Sequence, residues 1–219
     1  VDVVQGLVWS WLEARGTKGP QRSDPTTWTQ ADGRWPQDNA STGIVCVHGA
    51  GQCRAAWTVR GTEAIHRAFA QIWGTDHLMT SMDGIILWRP WRRKPPSVVE
   101  PWRTRGSWLH LDQNIGKRPN FEAVQGLVTL TAADPISTGG FVCVPGSHLP
   151  EVREPLAQRL GDLRKRGDFI PLPEGDPLWN EALGVSLQPG DMVLWDSRVL
   201  HGSEPAPGVE DVASAADIA

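Results

Sequence analysis

The spacing that most constrains this chain is a split set of metal-ligand residues. His110 and Asp112 lie two apart in Trp-Leu-His-Leu-Asp-Gln, and His201 follows far downstream in Asp-Ser-Arg-Val-Leu-His-Gly-Ser. Side chains alternate faces along a β-strand, so a separation of two puts His110 and Asp112 on the same face. His201 can reach them only if a later strand returns beside the first, which calls for a closed or sandwiched β-architecture. Two imidazoles and one carboxylate hold one face of a non-haem Fe(II) ion and leave the other open. His110, Asp112 and His201 are therefore expected as metal ligands and as the centre of any catalysis.

Length and charge narrow the remaining choices. A chain of 219 residues fits a single domain with a substantial core. The net charge of −4 is mild, and no basic stripe runs along the chain to track phosphates. Arg89, Arg92, Arg93 and Lys94 form the one dense cluster. It is expected to be a solvated loop, with attraction of an anionic substrate as the functional alternative. No apolar run reaches the roughly 18 residues needed to span a bilayer. Neither nucleic acid nor membrane is an expected partner, and the composition leaves the oligomeric state open. Cys46, Cys53 and Cys143 cannot all pair within one chain, which favours free thiols and a reducing, cytoplasmic setting.

Hydrophobic periodicity predicts a helix over residues 3–15, on Val4, Leu7, Val8, Trp11 and Leu12. A loop follows from Gly16 to Thr42, anchored by Trp28 and Trp35. Next comes a strand at Ile44–Val47, then a second short run around Trp57 and Val59. Thr62 is placed to cap another helix whose buried face carries Ile65, Phe69, Ile72 and Trp73. Strands are predicted at Ile85–Trp88, Trp108–Asp112, Val124–Thr131, Phe141–Val144 and Met192–Leu200. One more helix is marked by Val152, Leu156, Leu160 and Leu163 and closed by Gly167.

Three further segments carry a resemblance. They are Val-Gln-Gly-Leu-Val-Thr-Leu-Thr-Ala-Ala-Asp from Val124, Gly-Gly-Phe-Val-Cys-Val-Pro-Gly-Ser-His ending at His148, and Gln-Pro-Gly-Asp-Met-Val-Leu-Trp-Asp-Ser-Arg-Val-Leu-His-Gly-Ser ending at Ser203. With His110-x-Asp112 upstream, their order resembles the phytanoyl-CoA dioxygenase family over roughly residues 78–205. The resemblance implies a mainly β fold with flanking helices, on a double-stranded β-helix (jelly-roll, cupin-like) core. It implies one domain: a helical part over 1–77 packed on a core at 78–205, with 206–219 a flexible tail.

The family's activity is implied with the fold. Fe(II) and O₂ would act with 2-oxoglutarate as co-substrate, decarboxylated to succinate as a small molecule is hydroxylated or otherwise oxidised. His110, Asp112 and His201 match the family's metal ligands, and Ser203 matches a position that helps hold 2-oxoglutarate. An intact Asp112 favours hydroxylation, desaturation or cyclisation over halogenation. Alternatives from other classes are a non-catalytic metal-binding jelly-roll module and a Zn-dependent isomerase or hydrolase.

One departure stands out. The family normally carries an Arg shortly after the distal His, paired in two-point fashion with the far carboxylate of 2-oxoglutarate. Residues Gly202 to Ala219 contain no Arg or Lys. Three explanations compete: an altered or absent segment, a chemistry without 2-oxoglutarate, or substitution by another Arg. Arg198 is nearest, but three residues from His201 it needs a bulge to face the site; Arg89, Arg103 and Arg105 are the other substitutes. Gln113 and Asn114 are expected either to bond a ligand or to shape the turn after Asp112, and His148 to stabilise a turn.

Overall fold

The computed structural model describes residues 1–15, 19–30, 33–36 and 41–208. The chain divides into two compact units, Val1–Thr104 and Arg105–Ala219. The division expected after residue 77 therefore falls inside the first unit. Of the tail expected over 206–219, residues 209–219 lie outside the described residues, and its first residue, Ala206, is fully buried.

In the first unit, α1 (Asp2–Glu13) buries Val8 and Leu12, as its periodicity predicts. β1 (Ile44–Val45) pairs antiparallel with β2 (Ile85–Ile86). Between them lie α2 (Arg54–Arg60) and α3 (Glu63–Trp73). Trp57 and Val59, read as a short separate run, belong to α2. The buried face expected of α3 is not found: none of its residues is buried, and Ile72 and Trp73 are exposed. Thr62 holds the N-cap position, but its hydroxyl donates back to Thr58 O at 3.0 Å instead of capping α3.

The expected tryptophan anchors are in place. Trp28 sits 5.1 Å from Trp9, 6.0 Å from Trp35 and 5.8 Å from Trp102, ring centre to ring centre. The Arg89 guanidinium lies over Trp35 and Trp102 at 5.6 and 5.4 Å. It also donates to Trp28 O at 2.8 Å and pairs with Glu100, which accepts the Gln30 backbone N–H. The solvated loop expected for this cluster is thus wrong at Arg89. Stacked rings and a carboxylate replace water around a planar, weakly hydrated cation.

The second unit is built on antiparallel sheets with one α-helix. Its elements are β3 (His110–Leu111), β4 (Val124–Val128), β5 (Gly139–Cys143), α4 (Pro150–Leu160), β6 (Ile170–Pro171), β7 (Leu183–Gly184), β8 (Met192–Asp196) and β9 (His201–Pro205). Five strands form one sheet in the order β6-β3-β9-β5-β7, and β4 pairs with β8 in a second. Alternation then sorts the side chains. Leu109, Leu111, Val142, Val144 and Leu200 join Leu156 of α4 in one buried apolar cluster. Each such burial contributes about 1.5–3 kcal/mol. The intervening residues His110, Phe141, Cys143 and His201 are left for the other face.

Several predicted elements end early, and in two the cause is visible. The helix closes at Gly161 rather than Gly167, because Gly161 adopts φ +77°. Leu163 remains buried through a following 3₁₀ turn, in which Asp162 accepts the Arg164 N–H. The single strand predicted over Met192–Leu200 stops at Asp196. There Asp196 Oδ1 accepts both the backbone N–H and the Nε–H of Arg198, at 2.9 Å each, and turns the chain into β9.

Candidate metal centre

β3 and β9 run side by side with His110 directly opposite His201. Asp112 directly follows β3, separated from His110 by Leu111, whose side chain is committed to the core. The sequence pattern therefore delivers all three groups to one place. His110 Nε2 lies 3.3 Å from Asp112 Oδ1, and His201 Nε2 lies 3.3 Å from Asp112 Oδ2. One potential ligand atom from each residue falls within 4.8 Å of the others. Among the described residues this is the one His/Cys/Asp/Glu group that could hold a metal ion.

The histidines are fixed by their own backbones. His110 Nδ1 meets Trp108 O at 3.1 Å, and His201 Nδ1 meets Val199 O at 3.0 Å. A carbonyl only accepts, so each Nδ1 carries the proton and donates it. In the neutral ring that leaves each Nε2 with its lone pair aimed at the Asp112 carboxylate. Acceptors converging in this way need a proton or a cation between them. The second nitrogen of a metal-bound histidine is commonly held by such a carbonyl. The donor set and its orientation fit a divalent metal with an open face.

Rings pack around the imidazoles. Trp108 stacks on His110 at 4.8 Å and 11°, and Phe169 lies 4.6 Å from the same ring. Trp195 lies 5.0 Å from His201. The imidazoles are buried, while the Asp112 side chain keeps 33% of its surface open, so the centre is accessible from the carboxylate side. Burial by itself would raise the Asp112 carboxyl. When no cation lies between them, a proton on the facing His110 and His201 nitrogens, together with the Gln125 amide, outweighs burial and holds the group far below the usual carboxylate range.

The other sequence-derived residues separate clearly. Ser203 is buried two residues after His201 on β9, on the same strand face. Arg198 is not on a continuing strand, so the offset argument made for it does not apply. Its Nε and Nη2 grip Asp196 at 2.9 and 2.6 Å, and its Nη1 donates to Pro119 O at 2.8 Å. All three nitrogens are engaged, which leaves no free fork for a 2-oxoglutarate carboxylate.

Gln113 and Asn114 shape the turn. Gln113 bonds Ser197, Arg118 O and Asn120 O, and Asn114 clips three carbonyls between Leu163 and Gly167. Cys143 is opposite His201 in the ladder, and burial pushes its thiol up, so it stays protonated at neutral pH. The residue that sequence reasoning missed is Gln125, whose Nε2 donates to Asp112 Oδ2 at 2.7 Å. Its signal was a lone amide in the otherwise apolar run Val124–Val128.

Comparison with known proteins agrees with this geometry. The family model described as Phytanoyl-CoA dioxygenase (PhyH) matches residues 54–207. "Ava biosynthesis cluster protein O" of Aspergillus versicolor is 31% identical over 201 residues, covering 87% of this chain and 60% of its own length. The chain thus spans about 60% of the curated relative it matches. No solved structure matches it. The chain belongs to the phytanoyl-CoA dioxygenase family, whose members are generally Fe(II)- and 2-oxoglutarate-dependent oxygenases. No described helix is long and apolar enough to cross a membrane.

Proposed function

We propose that this chain is an Fe(II)/2-oxoglutarate-dependent dioxygenase that hydroxylates, or otherwise oxidises, a small molecule. The observation that carries the reading is the convergence of two carbonyl-anchored imidazoles and one ionised carboxylate around a partly open position. A double-stranded β-helix core is part of the proposal. Its support is the all-antiparallel pairing in which β3 lies next to the far later β9.

When bound, Fe(II) with 2-oxoglutarate and O₂ would supply the oxidising power: one oxygen atom enters succinate as CO₂ leaves, and the other enters a substrate C–H bond. The chain's own residues do the rest. His110, His201 and Asp112 would hold the metal. The carbonyls of Trp108 and Val199 keep both Nε2 atoms unprotonated and aimed. Trp108, Phe169 and Trp195 shield the imidazoles from water. Ser203, on the His201 face of β9, would donate its hydroxyl hydrogen to the co-substrate carboxylate.

Of the arginines considered from sequence, Arg105 alone makes no hydrogen bond, ion pair or ring contact among the described residues, so it is the proposed counter-ion for 2-oxoglutarate. The relative's name speaks of a biosynthesis cluster, which supports a small-molecule substrate rather than a macromolecular partner. Incubation with Fe(II), O₂ and 2-oxoglutarate tests the reading. Succinate should form slowly even without the prime substrate and should require oxygen; no succinate under any substrate panel would remove the oxygenase assignment.

A further inference from the structure

We propose that Gln125 is a positioning residue for the metal centre, fixing which oxygen of Asp112 is presented to the ion. The inference rests on the metal-centre reading above and deepens it. Gln125 Nε2 donates to Oδ2 of Asp112 at 2.7 Å, whereas Oδ1 receives no donor from outside the triad. An ionised carboxylate only accepts, so the amide must turn its NH₂ toward Asp112 and its carbonyl away. That carbonyl, Oε1, is buried with no hydrogen-bond partner among the described residues.

Directly across the β4–β8 ladder stands Trp195, whose indole N–H is likewise buried and unpartnered and whose ring lies 5.0 Å from His201. A donor and an acceptor thus face each other across the strands without pairing. Buried polar atoms left unpaired destabilise a fold. A side chain chosen for packing would have avoided that cost, and methionine fills the same length with no polar atom. The amide's one satisfied bond is to Asp112, and that bond is the reason for its presence. Holding Oδ2 leaves Oδ1 as the oxygen free to ligate, a one-oxygen attachment that keeps the remaining face open for co-substrate.

The test is Gln125→Met in the full chain, titrated with Co(II), which absorbs in the visible region, with His110→Ala as background. The dissociation constant should rise about 10- to 100-fold, as for loss of other groups that orient a metal ligand. The visible band of the loaded variant should change in shape or intensity. The thermal midpoint without metal should be unchanged or higher, because an unpaired carbonyl has been removed. An unchanged affinity and band would overturn the inference while leaving the metal centre standing. A lower metal-free midpoint, or failure to fold, would assign Gln125 a structural role and overturn it too. If the wild-type chain binds no more Co(II) than His110→Ala, the metal-centre reading itself falls, and the inference with it.

Discussion

Two buried polar clusters in this molecule differ in how completely their atoms are satisfied. Around Arg89 the charge is closed: a carboxylate, a carbonyl and two indole faces take up the guanidinium, and the carboxylate accepts a backbone N–H in turn. Around Asp112 the account is left open. Two unprotonated nitrogens face a carboxylate, while an amide carbonyl and an indole N–H lie unpaired nearby. A saturated cluster holds a fold together. An unsaturated one is poised for something that the chain does not itself contain.

That contrast breaks most sharply at His110. His110→Ala should abolish metal-dependent turnover, with far-UV circular dichroism unchanged; turnover retained in that variant contradicts the ligand assignment. The opposite pattern is expected of Arg89→Met. Removing the cation takes the charge partner from a largely covered Glu100 and the stacked guanidinium from two indoles, which should cost about 3 kcal/mol of unfolding free energy. Metal affinity measured in the folded protein should not move. A smaller effect is expected from Arg105→Ala: the 2-oxoglutarate concentration for half-saturation should rise about tenfold, the worth of one charge-assisted contact. Metal affinity should be unaffected, and an unchanged half-saturation would return the search for the counter-ion to other residues.

The smallest effect concerns acid. Burial would raise the Asp196 carboxyl, but the hydrogen bonds and charge of Arg198 outweigh it and hold it below the ordinary value. Its folded pKa is therefore the lower one. The pair contributes stability above the unfolded value of about 4, and that contribution fades as pH falls through the folded value. Asp196→Asn should flatten the drop in thermal midpoint below about pH 4 relative to wild type. A drop as steep as in the native chain would show that the pair adds nothing there.

The triad was legible because its logic is local and repetitive. A separation of two fixes one strand face, and the Gly-Asp-to-His segment fixes the second strand. What escaped depends on long-range register or on single side chains. A strand is expected over Val124–Thr131, but only the pairing of β4 with β8 brings Gln125 opposite Trp195, and Gln125 beside Asp112. The break after Asp196 is made by its own carboxylate binding Arg198, a side-chain event that apolar patterning does not register. The two-residue strands β6 and β7 are too short to show a period. In α3 the amphipathic pattern is present, but the described chain only half-covers Ile65 and Phe69 and leaves Ile72 and Trp73 exposed.

The most direct test of the central claim is an anaerobic titration of Fe(II)-loaded protein with 2-oxoglutarate, followed in the visible spectrum. A metal-to-ligand charge-transfer band should grow and saturate with 2-oxoglutarate, and should be absent in His110→Ala. Fe(II) binding without any such band would contradict the claim, and would make this centre a metal-binding site rather than that of a 2-oxoglutarate oxygenase.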